Sequence, residues 1–99
     1  MMAQNETQVK EEYIKEYIKG NWDWYLEQYQ KRHWGYLLDE AAYILQQLGI
    51  VVARKPSIYE IKKEETFNKA IIYFNLYVGV WKISLKITDR GEVEAEVIR

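Results

Sequence analysis

Four kinds of side chain in this sequence could carry chemistry by their type and spacing. Tyr73 and Tyr77 alternate along one stretch, and Lys82 and Lys86 along the next. That is the makeup of a platform on which single-stranded nucleic acid stacks its bases and rests its phosphates. Glu92, Glu94 and Glu96 follow at every second residue and could be offered as acid–base carboxylates. They alternate with Val93, Ala95 and Val97, however, which is the pattern of a strand with one wet face. Beside the lysines they pair across strands, and they repel a phosphate backbone. Trp22-Asp23-Trp24-Tyr25 is dense in the residues that dominate protein interfaces. Trp22 and Trp24 point about 200° apart on a helix. One core does not hold both, so one of them meets a partner, covers a neighbouring element or faces solvent. His33, the single histidine, reads as a general base or lone ligand near Tyr29, Trp34 and Tyr36. Its other reading is an amphipathic side chain at the margin between helix and sheet. With one histidine and no carboxylate three or four residues away, a multi-histidine metal site cannot be assembled in one chain.

Composition bounds what these residues can do. The 99 residues include no cysteine, which removes disulfides, thiolate metal sites and thiol catalysis together. Hydrophobic residues make up 48% and charged residues 29%, enough to build one core and keep it in solution. Nine tyrosines and four tryptophans stand against two phenylalanines, so most of the aromatic mass carries a polar handle suited to half-buried positions or contact surfaces. The formal net charge of −1 gives no general attraction for nucleic acid or anionic membranes. Residues 50–99 hold nine basic against seven acidic side chains, so a polyanion would meet that half first. The opening residues have charges throughout and no apolar core of a signal peptide. No apolar run approaches the length of a membrane span. No nucleotide-binding glycine loop, zinc-protease helix, nucleophile elbow or calcium loop is present. The expectation is an intracellular chain that forms one domain, uses no cofactor and works without a membrane.

The elements that must position these residues follow from periodicity. Val9, Tyr13 and Tyr17, with Ile14 and Ile18 alongside, predict an amphipathic helix over about 6–19. Asn5 and Gln8 are placed as a capping box, and Gly20 as the left-handed residue that ends the helix. Asn21 reads as the N-cap of a second, long helix over 22–48. Its stripe runs Trp22, Leu26, Tyr29, His33, Leu37, Ala41, Ile44 and Leu48, with Leu38, Ala42 and Leu45 beside it, and Gly49 closes it. Gly35 marks where a kink or a short break near 33–36 would fall, giving two shorter helices instead. Ile50–Arg54 and Ile58–Lys62 are short strand candidates around Pro56, which suits an edge or an irregular lead-in. The charged residues 62–68 read as a loop.

The last third carries the most information. Even positions of 70–78 are apolar, as are odd positions of 81–87. A two-residue turn at Gly79-Val80 reconciles the two parities, with Gly first as a type II′ turn requires. That register sets Val78 opposite Trp81, Leu76 opposite Ile83, Phe74 opposite Leu85 and Ile72 opposite Ile87. A three-residue turn at Asp89-Arg90-Gly91 then sets Ile87 opposite Val93, Leu85 opposite Ala95, Lys86 opposite Glu94 and Thr88 opposite Glu92. The expected architecture is α+β. Two N-terminal helices, the second one long, pack on the apolar face of a three- to four-stranded antiparallel meander. The helical part covers about 6–49 and the sheet part about 50–98.

In texture, segments such as Glu11–Lys19 (EEYIKEYIK) and Ala70–Trp81 (AIIYFNLYVGVW) resemble the small proteins of filamentous and rod-shaped viruses of hyperthermophilic archaea. The resemblance spans the chain without a specific motif and assigns no residue a role. It implies a viral protein in the host cytoplasm that binds nucleic acid or engages host factors, and paired Lys and Glu agree with a hot habitat. The residues themselves favour a non-enzymatic interaction protein that meets protein partners or a second copy of itself, with Trp22 and Trp24 as its candidate interface. The alternative is nucleic-acid binding on Tyr73, Tyr77, Lys82 and Lys86, helped by Lys62, Lys63 and Lys69.

Overall fold

The computed structural model describes the backbone of residues 2–99 and the side chains from Lys10 onward. Three helices precede four strands: α1 (Met2–Gly20), α2 (Trp22–Gln30), α3 (Trp34–Gln47), β1 (Ile58–Glu65), β2 (Ala70–Val78), β3 (Trp81–Thr88) and β4 (Val93–Ile98). The strands form one antiparallel meander in the order β1-β2-β3-β4. The fold is therefore α+β, with three helices where two were expected.

α1 begins at Met2, earlier than periodicity suggested. The proposed cap at Asn5 and Gln8, and the side chain of Val9, lie outside the described side chains. Ile14 and Ile18 form the buried row, while Tyr13 is exposed and Tyr17 half-buried. Gly20 does not take the left-handed turn expected of it: α1 runs through it, and a single residue, Asn21, separates α1 from α2. Asn21 serves α1 rather than capping α2. Its Nδ2 donates to the Tyr17 carbonyl at 2.8 Å, and its side chain makes no N-cap bond.

The long second helix is divided at 31–33, ahead of Gly35, which lies in the first turn of α3. Arg32, with φ of 59°, is the one non-glycine described in the left-handed region. The His33 N–H donates to the Gln28 carbonyl at 2.9 Å and the Arg32 N–H to the Tyr29 carbonyl at 3.1 Å. This pair of bonds is the Schellman arrangement. Gly49 ends α3 the same way, with Ile50 N–H to Leu45 O at 2.9 Å and Gly49 N–H to Gln46 O at 3.0 Å. An arginine here thus adopts a conformation that usually selects glycine. The break also turns α2, so that it buries Trp22, Tyr25 and Gln28. Leu26 and Tyr29 are only partly buried, and His33 is exposed.

Residues 50–57 form no strand, which corrects the expectation for Ile50–Arg54; Ile50 and Val52 pack on the core from an irregular segment. β1 extends to Glu65, through residues read as a loop. As an edge strand it tolerates charge at five of its eight positions, and mixed charge protects an open edge. The β2–β3 and β3–β4 registers are those the alternation predicted, from Val78 opposite Trp81 to Leu85 opposite Ala95. Gly79 and Gly91 both have positive φ, 63° and 80°. One apolar cluster joins Ile72, Phe74, Leu76, Ile83, Leu85 and Ile87 on the inner sheet face to Ile14, Ile18, Tyr25, Leu37, Ala41, Ile44 and Leu45 of the helices.

Candidate interaction surfaces

Most of the tyrosine excess in the helices is spent on holding them together. Glu40 accepts hydrogen bonds from Tyr17 Oη at 2.8 Å and from Tyr25 Oη at 3.1 Å, tying α3 to α1 and α2. Tyr13 and Tyr43 hydroxyls meet at 2.7 Å, and the rings of Tyr17 and Tyr43 lie 5.0 Å apart. Burial, together with the Glu40 carboxylate, pushes the phenols of Tyr17 and Tyr25 well above their ordinary range. Both therefore remain neutral donors to Glu40. This is a structural use of residues whose composition alone also suits an interface.

Trp22 and Trp24 separate as their helical angle requires. Trp22 is 7% exposed and belongs to the core, edge-on to Tyr25. Trp24 is 38% exposed and rests against Tyr25 and Tyr36. A contact patch that uses both rings is not formed, because Trp22 is spent inside.

His33 precedes α3, with its ring edge-on to Tyr36. Its Nδ1 lies 2.8 Å from Oε1 of Gln28, an amide that is itself buried. Around it is a wide-open groove of about 440 Å³ lined by Arg32, His33, Trp34, Gly35, Tyr36 and Tyr59. The imidazole is oriented by an amide and not by a carboxylate. Among the described residues no group of three or more His, Asp or Glu side chains converges as a metal site would require. Nor, among them, is any helix long and apolar enough to cross a membrane.

The outer face of the sheet brings the predicted platform residues together. Tyr73 stands opposite Lys86 and Tyr77 opposite Lys82. A shallow groove of about 440 Å³ runs between β2, β3 and β4 here, with Tyr73, Asn75, Ser84, Lys86, Glu94 and Glu96 on its walls. Its acidic side is also filled as the sequence suggested. Lys86 Nζ is 3.9 Å from Glu94. A row of hydrogen bonds crosses the face from Ser84 through Asn75 to Glu60, at 3.1 and 3.3 Å. Burial and the Glu64 carboxylate raise the Tyr73 phenol above its usual range. The face is a lattice of mixed charge.

Sequence reasoning passed over the end of the sheet at the β2–β3 turn. Val51, Ile58, Val80, Trp81, Val97, Ile98 and Tyr77 are all exposed, Val51 and Val80 to 76% and 69%. Pairing places Ile58, Tyr77 and Ile98 on the outer face and Trp81 and Val97 on the inner face of the same end. Ile58 faces Tyr77, Tyr77 faces Lys82 and Lys82 faces Ile98, while Val78 faces Trp81 and Ile83 faces Val97. On the inner side, Val51 and the chain around it wall an apolar groove of about 270 Å³ against Val78, Trp81, Ile83 and Val97. Arg99 lies over the Trp81 ring at 5.8 Å. The available signal was Val80, an apolar residue at the tip of a tight turn. Its significance depends on Val51, which is distant in sequence and follows no periodic element.

Comparison of the chain with family models, with curated proteins and with solved structures finds no match.

Proposed function

We propose that this is a non-enzymatic interaction protein that self-associates through the open apolar end of its sheet. The observation that carries the reading is the exposure of Val51, Trp81 and Val97 around one apolar groove on the inner side of this end, with Ile58, Tyr77 and Ile98 exposed on the outer face behind it. Monomeric proteins rarely leave contiguous apolar patches of more than a few hundred Å² in water. An aromatic anchor rimmed by charge, here Trp81 with Arg99 over its ring, is the usual makeup of a contact centre. A second copy is the natural occupant, because a two-fold interface presents the same patch from both sides.

Sedimentation velocity over a wide concentration range tests it. The expected result is a concentration-dependent dimer that Trp81→Glu abolishes while the circular dichroism spectrum is retained. A wild-type chain that stays monomeric at every concentration would overturn the self-association reading.

Nucleic-acid binding on the outer face remains the second reading, favoured by the opposed pairs Tyr73–Lys86 and Tyr77–Lys82. It predicts salt-sensitive binding of single-stranded DNA or RNA, lost in a Lys82→Glu, Lys86→Glu double variant. The carboxylates of Glu94 and Glu96 on the same groove weigh against it.

A further inference from the structure

We infer that the free edge of β4 is a docking site for an extended segment of another protein in which basic and apolar residues alternate. The inference rests on the reading of the chain as an interaction protein, but on the backbone edge of β4 and not on the apolar side chains of the sheet end, Val97 being common to both.

β4 is the last strand of the sheet, and among the described residues nothing pairs with its outer edge. The Thr88 N–H donates to the Glu92 carbonyl at 3.1 Å, which fixes the alternation along β4. Backbone groups of Glu92, Glu94 and Glu96 point inward to β3, and those of Val93, Ala95 and Val97 point outward. A row of free N–H and C=O groups on a strand of this kind is a template for strand addition. β1, at the opposite edge, carries Lys and Glu together on the outer face, at Glu60, Lys62 and Glu64. The charges β4 carries there, Glu94 and Glu96, are acidic alone.

The alternation also decides what can dock. On the open side, Glu94 and Glu96 occupy the non-hydrogen-bonded positions, where facing side chains come closest. Opposite charges are favoured most at such positions, and like charges are opposed most. A second β4 laid antiparallel in central register would set Glu94 against the other copy's Glu96, so this edge is guarded against self-pairing. A strand with Lys or Arg opposite Glu94 and Glu96 meets the reverse condition. Its intervening apolar residues would continue the inner row of Val93, Ala95 and Val97, of which Val93 and Ala95 already pack on the core. β3 shows the complement within the molecule: Lys82, Ser84 and Lys86 alternate with Trp81, Ile83, Leu85 and Ile87, and Lys86 faces Glu94. Glu94 has capacity left for another cation, since its side chain is 77% exposed and the Lys86 contact is long, at 3.9 Å.

The experiment uses three synthetic peptides of equal length: alternating Lys and Val, alternating Glu and Val, and a scrambled Lys/Val sequence. Each is titrated into the full chain and into its Trp81→Glu variant, with backbone amide signals followed by NMR. The expected result is salt-sensitive binding of the alternating Lys/Val peptide to both proteins, with shifts centred on Val93, Ala95 and Val97. The scrambled peptide should bind at least tenfold more weakly. A Glu94→Lys, Glu96→Lys variant should lose the Lys/Val peptide by tenfold or more and gain the Glu/Val peptide. Ala95→Pro, which removes only an outward-facing N–H, should abolish binding with the sheet retained. Failure to bind, equal binding of the scrambled peptide, or shifts confined to other surfaces would each overturn the proposal. Loss of self-association in Trp81→Glu with peptide binding intact would separate this edge from the apolar end.

Discussion

The two ends of the sheet are built on opposite principles. At the β3–β4 turn, most polar groups find partners within the chain, the buried Oδ1 of Asp89 excepted. Thr88 is buried, donates to Glu92 Oε1 at 3.2 Å and accepts from the N–H groups of Arg90 and Glu92. Glu92 also holds Lys69 at 3.3 Å, and Arg90 reaches across to the Asn68 carbonyl at 3.0 Å. α1 presses on this end so closely that a side chain on Gly91 would lie 2.6 Å from the Lys15 carbonyl. At the β2–β3 turn there is no such network, and nothing lies within 4 Å of where a Cβ on Gly79 would be. Apolar side chains there face water. The closed end spends its polar groups on folding; the open end leaves its apolar groups unused by folding, which is where a contact surface is to be sought.

The sharpest way to break this comparison is to make the same change in both turns. Gly91→Ala meets a left-handed backbone and the Lys15 carbonyl together, and should cost about 3 kcal/mol. Gly79→Ala, with φ of 63° but open space around it, should cost only about 1 kcal/mol from the backbone. Urea denaturation of both variants gives the difference directly. Equal costs would mean that α1 does not seat against the β3–β4 turn.

Next in size is Thr88→Val, which keeps the shape of a buried side chain and removes its hydroxyl. The N–H groups of Arg90 and Glu92 would lose an acceptor, and the loss should be about 2 kcal/mol. No polar substitution at the open end should approach that figure.

Acid titration gives a smaller, directional effect. The hydrogen bond and charge of Lys69, aided by the Thr88 hydroxyl, hold the Glu92 carboxyl below its usual range. A carboxyl lowered in the folded state stabilises above its unfolded pKa of about 4.3, and that contribution fades as pH falls through the lower folded value. The amide signals of Thr88, Arg90 and Glu92 should therefore shift at a pH below 4.3. Lys69→Met should move the midpoint upward. An unmoved midpoint would show that Lys69 is not what sets the Glu92 carboxyl.

How much of this was legible in the sequence depends on whether local rules and tertiary packing agree. The meander was readable residue by residue from β2 onward, because alternation and two glycine turns specify one register and a slip by one residue would expose the whole apolar row. The division of the second helix was not placed correctly, because its determinant is not a local breaker. Arg32 takes the left-handed position and Gly35 stays helical. Asn21 is a good N-cap by type, yet with only one residue between two helices its amide binds backward to Tyr17. At the sites, Tyr73, Tyr77, Lys82 and Lys86 share a face because register alone decides it. The apolar end could not be read, because Val51 reaches Trp81 and Val97 only through an irregular segment.

The smallest expected effect on stability is the most informative about that end. Val80 sits at the tip of the β2–β3 turn, already 69% exposed, and Lys in its place removes little buried surface. Val80→Lys should change unfolding free energy by less than about 0.5 kcal/mol, as surface substitutions away from special features do. The same variant puts a charge next to Trp81 at the tip of the turn, so the dimer expected in sedimentation should weaken. The two readouts together distinguish a contact surface from a misplaced piece of core. If Val80→Lys instead loses more than about 1 kcal/mol at a concentration where the chain is monomeric, residue 80 is packed within its own chain. The two ends would then not differ in kind, and the contact surface would have to be sought on Trp24 or the β4 edge.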